Sequence, residues 1–434
     1  MVGPSAPQGG DTVPNRYLAY RFLCSLNLTL DDLYPIWTKP GKATPDPPPY
    51  YAVRSQTSHL VSTFGPTVPI LASPFVWLYD KFFGIETSHD LLKATRLLSG
   101  ILCGFATMFV FASCLLFAGR LPSYLATIGF AFASACMSVA SRGLWQHTFA
   151  LFFLCIGIFA CLAHANKEAY AILAGLALSL AFASRPMCAL FLVAGFLVIL
   201  LSSRNSAFYF SITAFFPCAL LFAYNTWHFG SPFLFGQTIS SYDVAVFKTH
   251  SYSLINKEPW LGLLGLLLSP SRGIFIFSPH FLFIMKGFSG LSKEKGLLTF
   301  IVASLAYLLV ASFWFDWWGG ATVSYRQIVE ITPILTILVA RGLEKTKSRL
   351  NRLLFILPLA FGILLASLSA THPKVVLWNE EMEVDKHPER LFDIPSSLVL
   401  RILEKRPDDK AIVWDSFIVR LDNCKVEHNP RMPY

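Results

Sequence analysis

The sequence predicts an all-α polytopic membrane protein of about ten transmembrane helices, each near the length a bilayer requires. Three observations carry that expectation. Hydrophobic residues fill 54% of the 434 positions and charged residues only 14%, where a soluble domain carries roughly a quarter charged. Mean hydropathy is +0.53. Apolar stretches approaching the ~20 residues needed to cross a hydrocarbon core recur from Leu97 almost to Ala370, joined by short loops.

In order, the expected spans are 97–118, 122–140, 146–163, 169–184, 187–202, 206–225, 271–285, 296–315, 327–343 and 352–370. Alternate connections differ in charge. One set carries Arg120, Lys167, Arg204, Lys286, Lys293, Lys295, Arg341, Lys345, Lys347, Arg349 and Arg352, and the positive-inside rule makes it cytoplasmic. The other set holds the polar motifs SRGLWQH (Ser141 to His147), SRP (Ser184 to Pro186), NTWHFGSP (Asn225 to Pro232), SPSRG (Ser269 to Gly273), DWWGG (Asp316 to Gly320) and SYRQ (Ser324 to Gln327). It is therefore assigned to the outer face of the cytoplasmic membrane. Trp145, Trp227, Trp260, Trp314, Trp317 and Trp318 fall near that face, as an interfacial belt would. The segment from Phe64 to Phe83 is apolar but broken by Pro66, Pro69 and Pro74. Counting it as a span would invert the charge bias, so it is expected as an interfacial or re-entrant helix.

The domain expectation is a first extracytoplasmic loop over 1–95, a membrane bundle over 96–370 and a short outer tail over 371–434. In the tail, Ile394 to Arg406 reads as a capped helix and Ala411 to Leu421 as a strand. A chain that starts outside has no helix to deliver its first loop, so the N-terminus is expected to lack a first span. The net charge of +9 comes with no basic tract or stripe, so no nucleic-acid partner is expected. Seven of nine cysteines lie singly in apolar spans and read as small hydrophobes. No metal-ligand spacing is evident, and neither metal nor cofactor is expected.

Arg142, Arg185, Arg272 and Arg326 sit at outer span ends beside Ser, Gly and Pro. Guanidinium forks match phosphate oxygens, so together they could clamp a phosphate; singly, each could simply snorkel to the interface. Arg326 and Glu330 stand one α-helical turn apart and are expected to pair. His147 offers an imidazole at a helix start, against the plainer reading of a hydrogen-bonded interfacial His. Asp316, Trp317 and Trp318 put flat aromatic surface beside a carboxylate, suited to sugar or isoprenoid contact and equally to a membrane belt. The first loop offers three carboxylates, Asp11, Asp31 and Asp32, and glycosyl transfer needs one to deprotonate or orient an acceptor hydroxyl. Chemistry alone does not choose among them.

Taken together, Gly10 to Tyr17 (GDTVPNRY), the stretch from His59 to Phe75, SRGLWQH, FGSPF from Phe229, SPSRGIFIFSP from Ser269, and WWGG with YRQIVEITP resemble a bacterial branch of the GT-C superfamily of membrane glycosyltransferases. That group includes protein O-mannosyltransferases and the lipid A aminoarabinose transferase. The resemblance implies a GT-C-like bundle in which an acid followed shortly by Arg-Tyr is catalytic, which selects Asp11 with Arg16 and Tyr17 behind it. The place of a second loop acid is taken by His147. It further implies transfer of a sugar from a polyprenyl-phosphate carrier, its lipid tail among the spans, to a glycan, lipid or protein acceptor. The alternatives are a catalytically degenerate relative or a lipid or solute transporter or flippase.

Overall fold

A capping signal starts the first long apolar helix earlier than hydropathy marks it. In the computed structural model, which describes residues 11–31, 50–165, 167–240, 254–346, 348–372, 374–381, 384–404, 419–422 and 425–428, the first long apolar helix begins at Ser88 rather than Leu97. Thr87 is its N-cap: its hydroxyl accepts the Asp90 amide at 3.2 Å and donates to the Asp90 carboxylate at 2.7 Å. That box satisfies free first-turn donors and extends the helix nine residues toward its start.

The order of helices is α1 (Thr12–Ser25), α2 (Thr67–Phe83), α3 (Ser88–Leu115), α4 (Arg120–Phe132), α5 (Gln146–Leu162), α6 (Glu168–Ser184), α7 (Ala189–Ser202), α8 (Arg204–Phe229), α9 (Pro259–Leu268), α10 (Lys295–Phe313), α11 (Thr332–Glu344), α12 (Arg349–Thr371), α13 (Lys374–Glu381) and α14 (Leu398–Leu403). Two small antiparallel pairs complete the described set: β1 (Ala52–Arg54) with β2 (Leu60–Ser62), and β3 (Val419–Asp422) with β4 (Lys425–His428). Among the described residues, five helices are long and apolar enough to cross a membrane: Ser88–Leu115, Arg120–Ser138, Arg204–Phe229, Lys295–Phe313 and Leu353–Thr371. The helices Gln146–Leu162, Glu168–Ser184, Pro186–Ser202 and Pro259–Leu268 are apolar but shorter. The chain is thus a predominantly helical, multi-pass membrane protein.

Three elements differ from expectation. The stretch expected as a span over 271–285 is broken into Ile274–Phe277, a 3-10 turn Pro279–Phe283 and Ile284–Gly287. Pro279 cannot donate to a helical ladder, and Ser278 instead donates its hydroxyl to the Ala133 carbonyl at 2.6 Å. Residues 12–25 form a helix where only loop was expected, and α9 was not anticipated. The strand expected over 411–421 falls largely outside the described residues, while the helix expected over 394–406 starts only at Leu398, after the Ser397 N-cap, whose hydroxyl accepts the Leu400 amide.

The spans pack by small residues on one side and meet lipid with large ones on the other. On α8, Phe208, Ile212, Phe215, Phe216 and Leu220 are exposed, whereas Ala207, Phe210, Ala214 and Leu221 are buried. The exposed set recurs every three to four residues, as a lipid-facing stripe does. Against the buried face lies Gly175 of α6: a Cβ there would stand 2.3 Å from the Phe210 carbonyl oxygen and 2.4 Å from Thr213 Oγ1. Close backbone approach of this kind replaces the missing hydrophobic drive between helices in lipid. We expect Gly175→Ala to lower stability by about 1–3 kcal/mol, the usual cost of overpacking. Gly104→Ala, where nothing lies within 4 Å, should be near neutral. Thermal unfolding in detergent compares the two; equal midpoints would contradict this packing.

At one end of the bundle, loops from the Lys/Arg-rich set meet one another. Arg341 donates to the Gly287 and Ser289 carbonyls, and the Gly119 amide donates to Glu344 at 2.8 Å. The polar motifs gather at a separate cluster built from α1, α5, the α6–α7 junction and residues 316–330.

Candidate functional site

Asp11 is the N-cap of α1, yet its carboxylate makes no capping bond. Pro14 occupies the third helical position and has no amide to offer. The carboxylate turns instead to the Arg326 guanidinium, which it meets as an ion pair, and to Tyr50, whose hydroxyl donates at 2.9 Å. Burial acts to raise the Asp11 pKa, but the Arg326 charge and the hydrogen bonds from Arg326 and Tyr50 outweigh it and hold the carboxyl below its usual value. Burial and the adjacent Asp11 charge push the Tyr50 phenol well above its ordinary value, so it stays a donor. Of the two loop acids among the described residues, Asp11 is the one brought to an arginine. Asp31 is spent on the hairpin, accepting from the Leu60 amide at 2.8 Å and meeting His59 Nδ1 at 2.7 Å; Asp32 lies outside the described residues.

Arg326 is placed by the glycine loop before it. Gly319 and Gly320 have φ of +76° and +68°, a left-handed backbone that glycine adopts without steric cost. The loop so formed offers the Gly319 carbonyl to Arg326 Nη2 at 2.6 Å. Ser324, at φ +58°, reverses the chain; such a conformation in a non-glycine residue costs on the order of 1–3 kcal/mol. The Arg326 guanidinium carbon also lies 4.8 Å from the centre of the Trp145 ring, and α1 is fastened to the same segment by Asn15 Nδ2 donating to the Leu144 carbonyl at 2.9 Å.

Arg326 and Glu330 do not pair. Residues Arg326–Ile331 form a 3-10 helix interrupted at Ile328, with φ −125°, and at three residues per turn positions four apart no longer share a face. Glu330, fully buried, instead meets His147 Nδ1 at 2.7 Å, Arg185 Nε at 3.2 Å and the Tyr307 hydroxyl, which donates at 2.8 Å. Arg185 Nη1 lies 3.1 Å from His147 Nε2. A guanidinium can only donate, so Nε2 accepts and Nδ1 carries the proton given to Glu330; both ring nitrogens are occupied. Arg185 also reaches Gln327 Oε1 at 2.9 Å.

Arg272 is likewise engaged with the protein. It donates to the carbonyls of Trp318 (3.2 Å), Ser271 (2.9 Å) and Gly320 (3.1 Å), and to Asn379 Oδ1 (3.0 Å). Trp378 of the tail lies between Arg272 and Arg390, at 5.4 and 4.5 Å from their guanidinium carbons. Trp317 and Trp318 are both buried, and Trp318 Nε1 donates to Asp385 at 2.8 Å. Asp316 accepts the Gly320 amide at 3.0 Å. Of the tryptophans expected at the belt, Trp227 and Trp260 are exposed, as a belt requires, whereas Trp145, Trp317 and Trp318 are buried. Arg142 is half-buried at the start of the loop that carries Trp145, and Arg16 and Tyr17 are buried in α1, 5.4 Å from guanidinium to ring. Sequence reasoning missed Tyr50, Tyr307, Trp378 and Asn379, since nothing local marks a residue whose partner lies tens or hundreds of positions away. Among the described residues no group of three or more His, Cys, Asp or Glu could hold a metal ion.

This architecture defines a class, the polytopic helical membrane protein with a polar site at one end of its bundle. Its fold is similar to that of a solved archaeal membrane protein. The oligosaccharyltransferase of Archaeoglobus fulgidus, crystallised with zinc and sulfate, superposes with a TM-score of 0.50 at 15% identity, over 93% of this chain and 59% of that one. Two further solved structures were matched: ArnT from Cupriavidus metallidurans in the apo state (TM-score 0.44, 12% identity, 81% and 58% of the chains) and the Archaeoglobus fulgidus oligosaccharyltransferase AglB with an inhibitory peptide and a dolichol-phosphate (0.43, 13%, 94% and 59%). The chain spans about three-fifths of the length of these structures. No protein-family model and no curated protein sequence matches it.

Proposed function

We propose that the chain is a membrane glycosyltransferase that moves a sugar from a polyprenyl-phosphate carrier to an acceptor at the extracytoplasmic face of the cytoplasmic membrane. The observation that carries this reading is the Asp11 carboxylate, unspent as a helix cap and held between Arg326 and Tyr50 where the loops converge. The likeness of the fold to an oligosaccharyltransferase supports the same class of reaction. Two observations support the outer face: the Lys and Arg surplus on the opposite loops, and a disulfide at Cys24, beside α1's end, since such bonds persist in oxidising compartments.

In this scheme the acceptor's nucleophilic oxygen or nitrogen attacks the anomeric carbon, the bond from that carbon to the phosphate oxygen breaks, and the electron pair leaves with the lipid phosphate. Asp11 accepts the acceptor's hydrogen bond and then its proton. A carboxyl held below its ordinary pKa is a weak base, so it orients the acceptor and takes the proton late, as charge develops on the attacking atom. Arg326, with Arg142 at the start of the loop that carries Trp145, stabilises the leaving phosphate, and Arg16 and Tyr17 hold α1 in place. Arg185, Arg272, Glu330, Asp316, Trp317 and Trp318 act as positioning residues: their polar groups or rings are already engaged by protein. We assign His147 to that group as well, because both its nitrogens are occupied. The organisation into a first loop over 1–95, a bundle over 96–370 and a tail over 371–434 fits this division, the tail bracing the glycine loop through Arg272.

The pH dependence gives a direct test. Because Asp11's folded pKa is lowered, its carboxylate persists as pH falls past the ordinary 3.8 and is lost only below that. Arg326→Gln removes the strongest opposing charge, leaving burial to raise the pKa, so the acid limb of transfer should move to higher pH. The measurement is transfer rate against pH with a radiolabelled polyprenyl-phosphate sugar in proteoliposomes; an unmoved limb would remove Asp11 as the titrating group.

A further inference from the structure

Four polar side chains from separate parts of the chain line one small space beside the first loop: Thr63 just after β2, Gln146 at the start of α5, Asn225 near the end of α8, and Gln237 beyond it. The accessible room among them is about 20 Å³. One water molecule needs roughly 10–15 Å³. The walls are set close together. The Gln56 amide donates to the His228 carbonyl at 2.9 Å, which fixes the β1–β2 turn on the end of α8, and a Cβ on Gly236 would stand 3.1 Å from Thr63 Cα.

The hydrogen bonding decides what can sit there. Gln146 Nε2 donates to the Phe64 carbonyl at 3.0 Å and Asn225 Nδ2 to the Pro232 carbonyl at 3.1 Å. A carbonyl only accepts, so each amide has its nitrogen on that partner. Gln146 Oε1 and Asn225 Oδ1 are left as acceptors with no partner among the described residues. The Thr63 hydroxyl is buried and likewise unpartnered, and the Gln237 amide makes no side-chain bond to a described residue. Gln146 is 6% and Asn225 2% exposed, so these are interior groups, and an interior acceptor left unpaired costs its full desolvation. The two amide oxygens cannot satisfy each other, because neither carries a hydrogen.

What fits is a small neutral molecule that donates twice and also accepts. An anion has no hydrogens for the amide oxygens. A bare cation would meet oxygens but no counter-charge, since no Asp or Glu among the described residues lines the space, and an uncompensated buried charge is costly. We propose that this space holds one ordered water molecule, which donates to Gln146 Oε1 and Asn225 Oδ1 and accepts from the Thr63 hydroxyl and the Gln237 amide. Four bonds lie within the range of about two to four that a buried water makes. The water ties the first loop to the start of α5 and the end of α8, three elements whose facing polar groups have no direct match. This assignment does not depend on the transferase reading.

A density map of the full chain in lipid nanodiscs, at about 2 Å or better, tests it directly. One peak should stand within about 2.6–3.2 Å of both Gln146 Oε1 and Asn225 Oδ1. Stability adds a test that turns on a sign. In a dry space Thr63→Val would remove an unpaired buried hydroxyl and hold or raise the unfolding midpoint. With the water present the same change removes a hydrogen bond and should lower the midpoint by about 1–3 °C. Gln237→Leu, which breaks no described bond, should act in the same direction. Midpoints of the unaltered chain should be equal in sodium chloride and choline chloride at one ionic strength. An empty map, or midpoints held or raised in both variants, overturns the proposal. A sodium-specific rise that Asn225→Leu abolishes would overturn it too, by putting a cation in the water's place.

Discussion

Replacing Glu330 by Gln should remove a large share of the protein's stability. Glu330 is fully buried and is the sole described carboxylate meeting Arg185, whose side chain is only 6% exposed. Removing one member of a buried ion pair strands the other charge, at a cost of about 3–5 kcal/mol, against a total stability of about 5–15 kcal/mol. Arg185→Ala should be comparably damaging, because it strips donors from Glu330, His147 Nε2 and Gln327. The double variant Arg185→Met with Glu330→Gln leaves no charge in this pair and should recover much of the loss, since a buried pair is weak support compared with a well-packed neutral replacement. Thermal unfolding and gel filtration in detergent measure all three. A Glu330→Gln protein as stable as the parent would show that the cluster does not hold α5, the α6–α7 junction and residues 326–331 together.

The second large effect concerns rate. Asp11→Asn keeps the side chain's shape but removes the group that accepts the acceptor's proton. We expect sugar transfer to fall by about 10²–10⁴-fold, the usual contribution of a positioned acid or base, with binding of polyprenyl phosphate retained because Arg326 remains. Asp31→Asn is the matching control: Asp31 tethers the β1–β2 hairpin through His59 and Leu60, so its loss should lower stability more than rate. Transfer and donor binding measured on the same preparations separate the two. Equal losses of rate in both variants would mean that the first loop's integrity, not Asp11's chemistry, was being measured.

The membrane class was legible because it depends on summed apolarity, and summed quantities survive local error. Most helix positions were legible for the same reason. What misled was local and geometric. Pro279 broke a stretch whose hydropathy looked continuous, the Thr87–Asp90 box began α3 ahead of its apolar run, and α1 carried too mixed a composition to declare itself. At the site, the motifs identified the residues but not their partners. Arg326 and Glu330 are four apart and were expected to meet on an α-helix; the 3-10 winding with its break at Ile328 sent one to Asp11 and the other to His147 and Arg185. The arginines illustrate the same limit. Residue type suggested a shared phosphate clamp, but Arg185 and Arg272 spend their donors on Gln327, Tyr307 and the carbonyls of the glycine loop, contacts that no sequence window contains. The resemblance points to Asp11, but no sequence window shows that its carboxylate leaves the helix cap and meets Tyr50 and Arg326.

The most direct test of the central claim is to seal the purified chain in proteoliposomes with a polyprenyl-phosphate hexose, labelled in the sugar, and to follow the label. The account predicts that the bond from sugar to phosphate is broken: polyprenyl phosphate accumulates and the label passes to an acceptor supplied outside. Movement of intact labelled lipid between leaflets with no loss of that bond would contradict it, and would make the chain a carrier of lipid rather than a transferase.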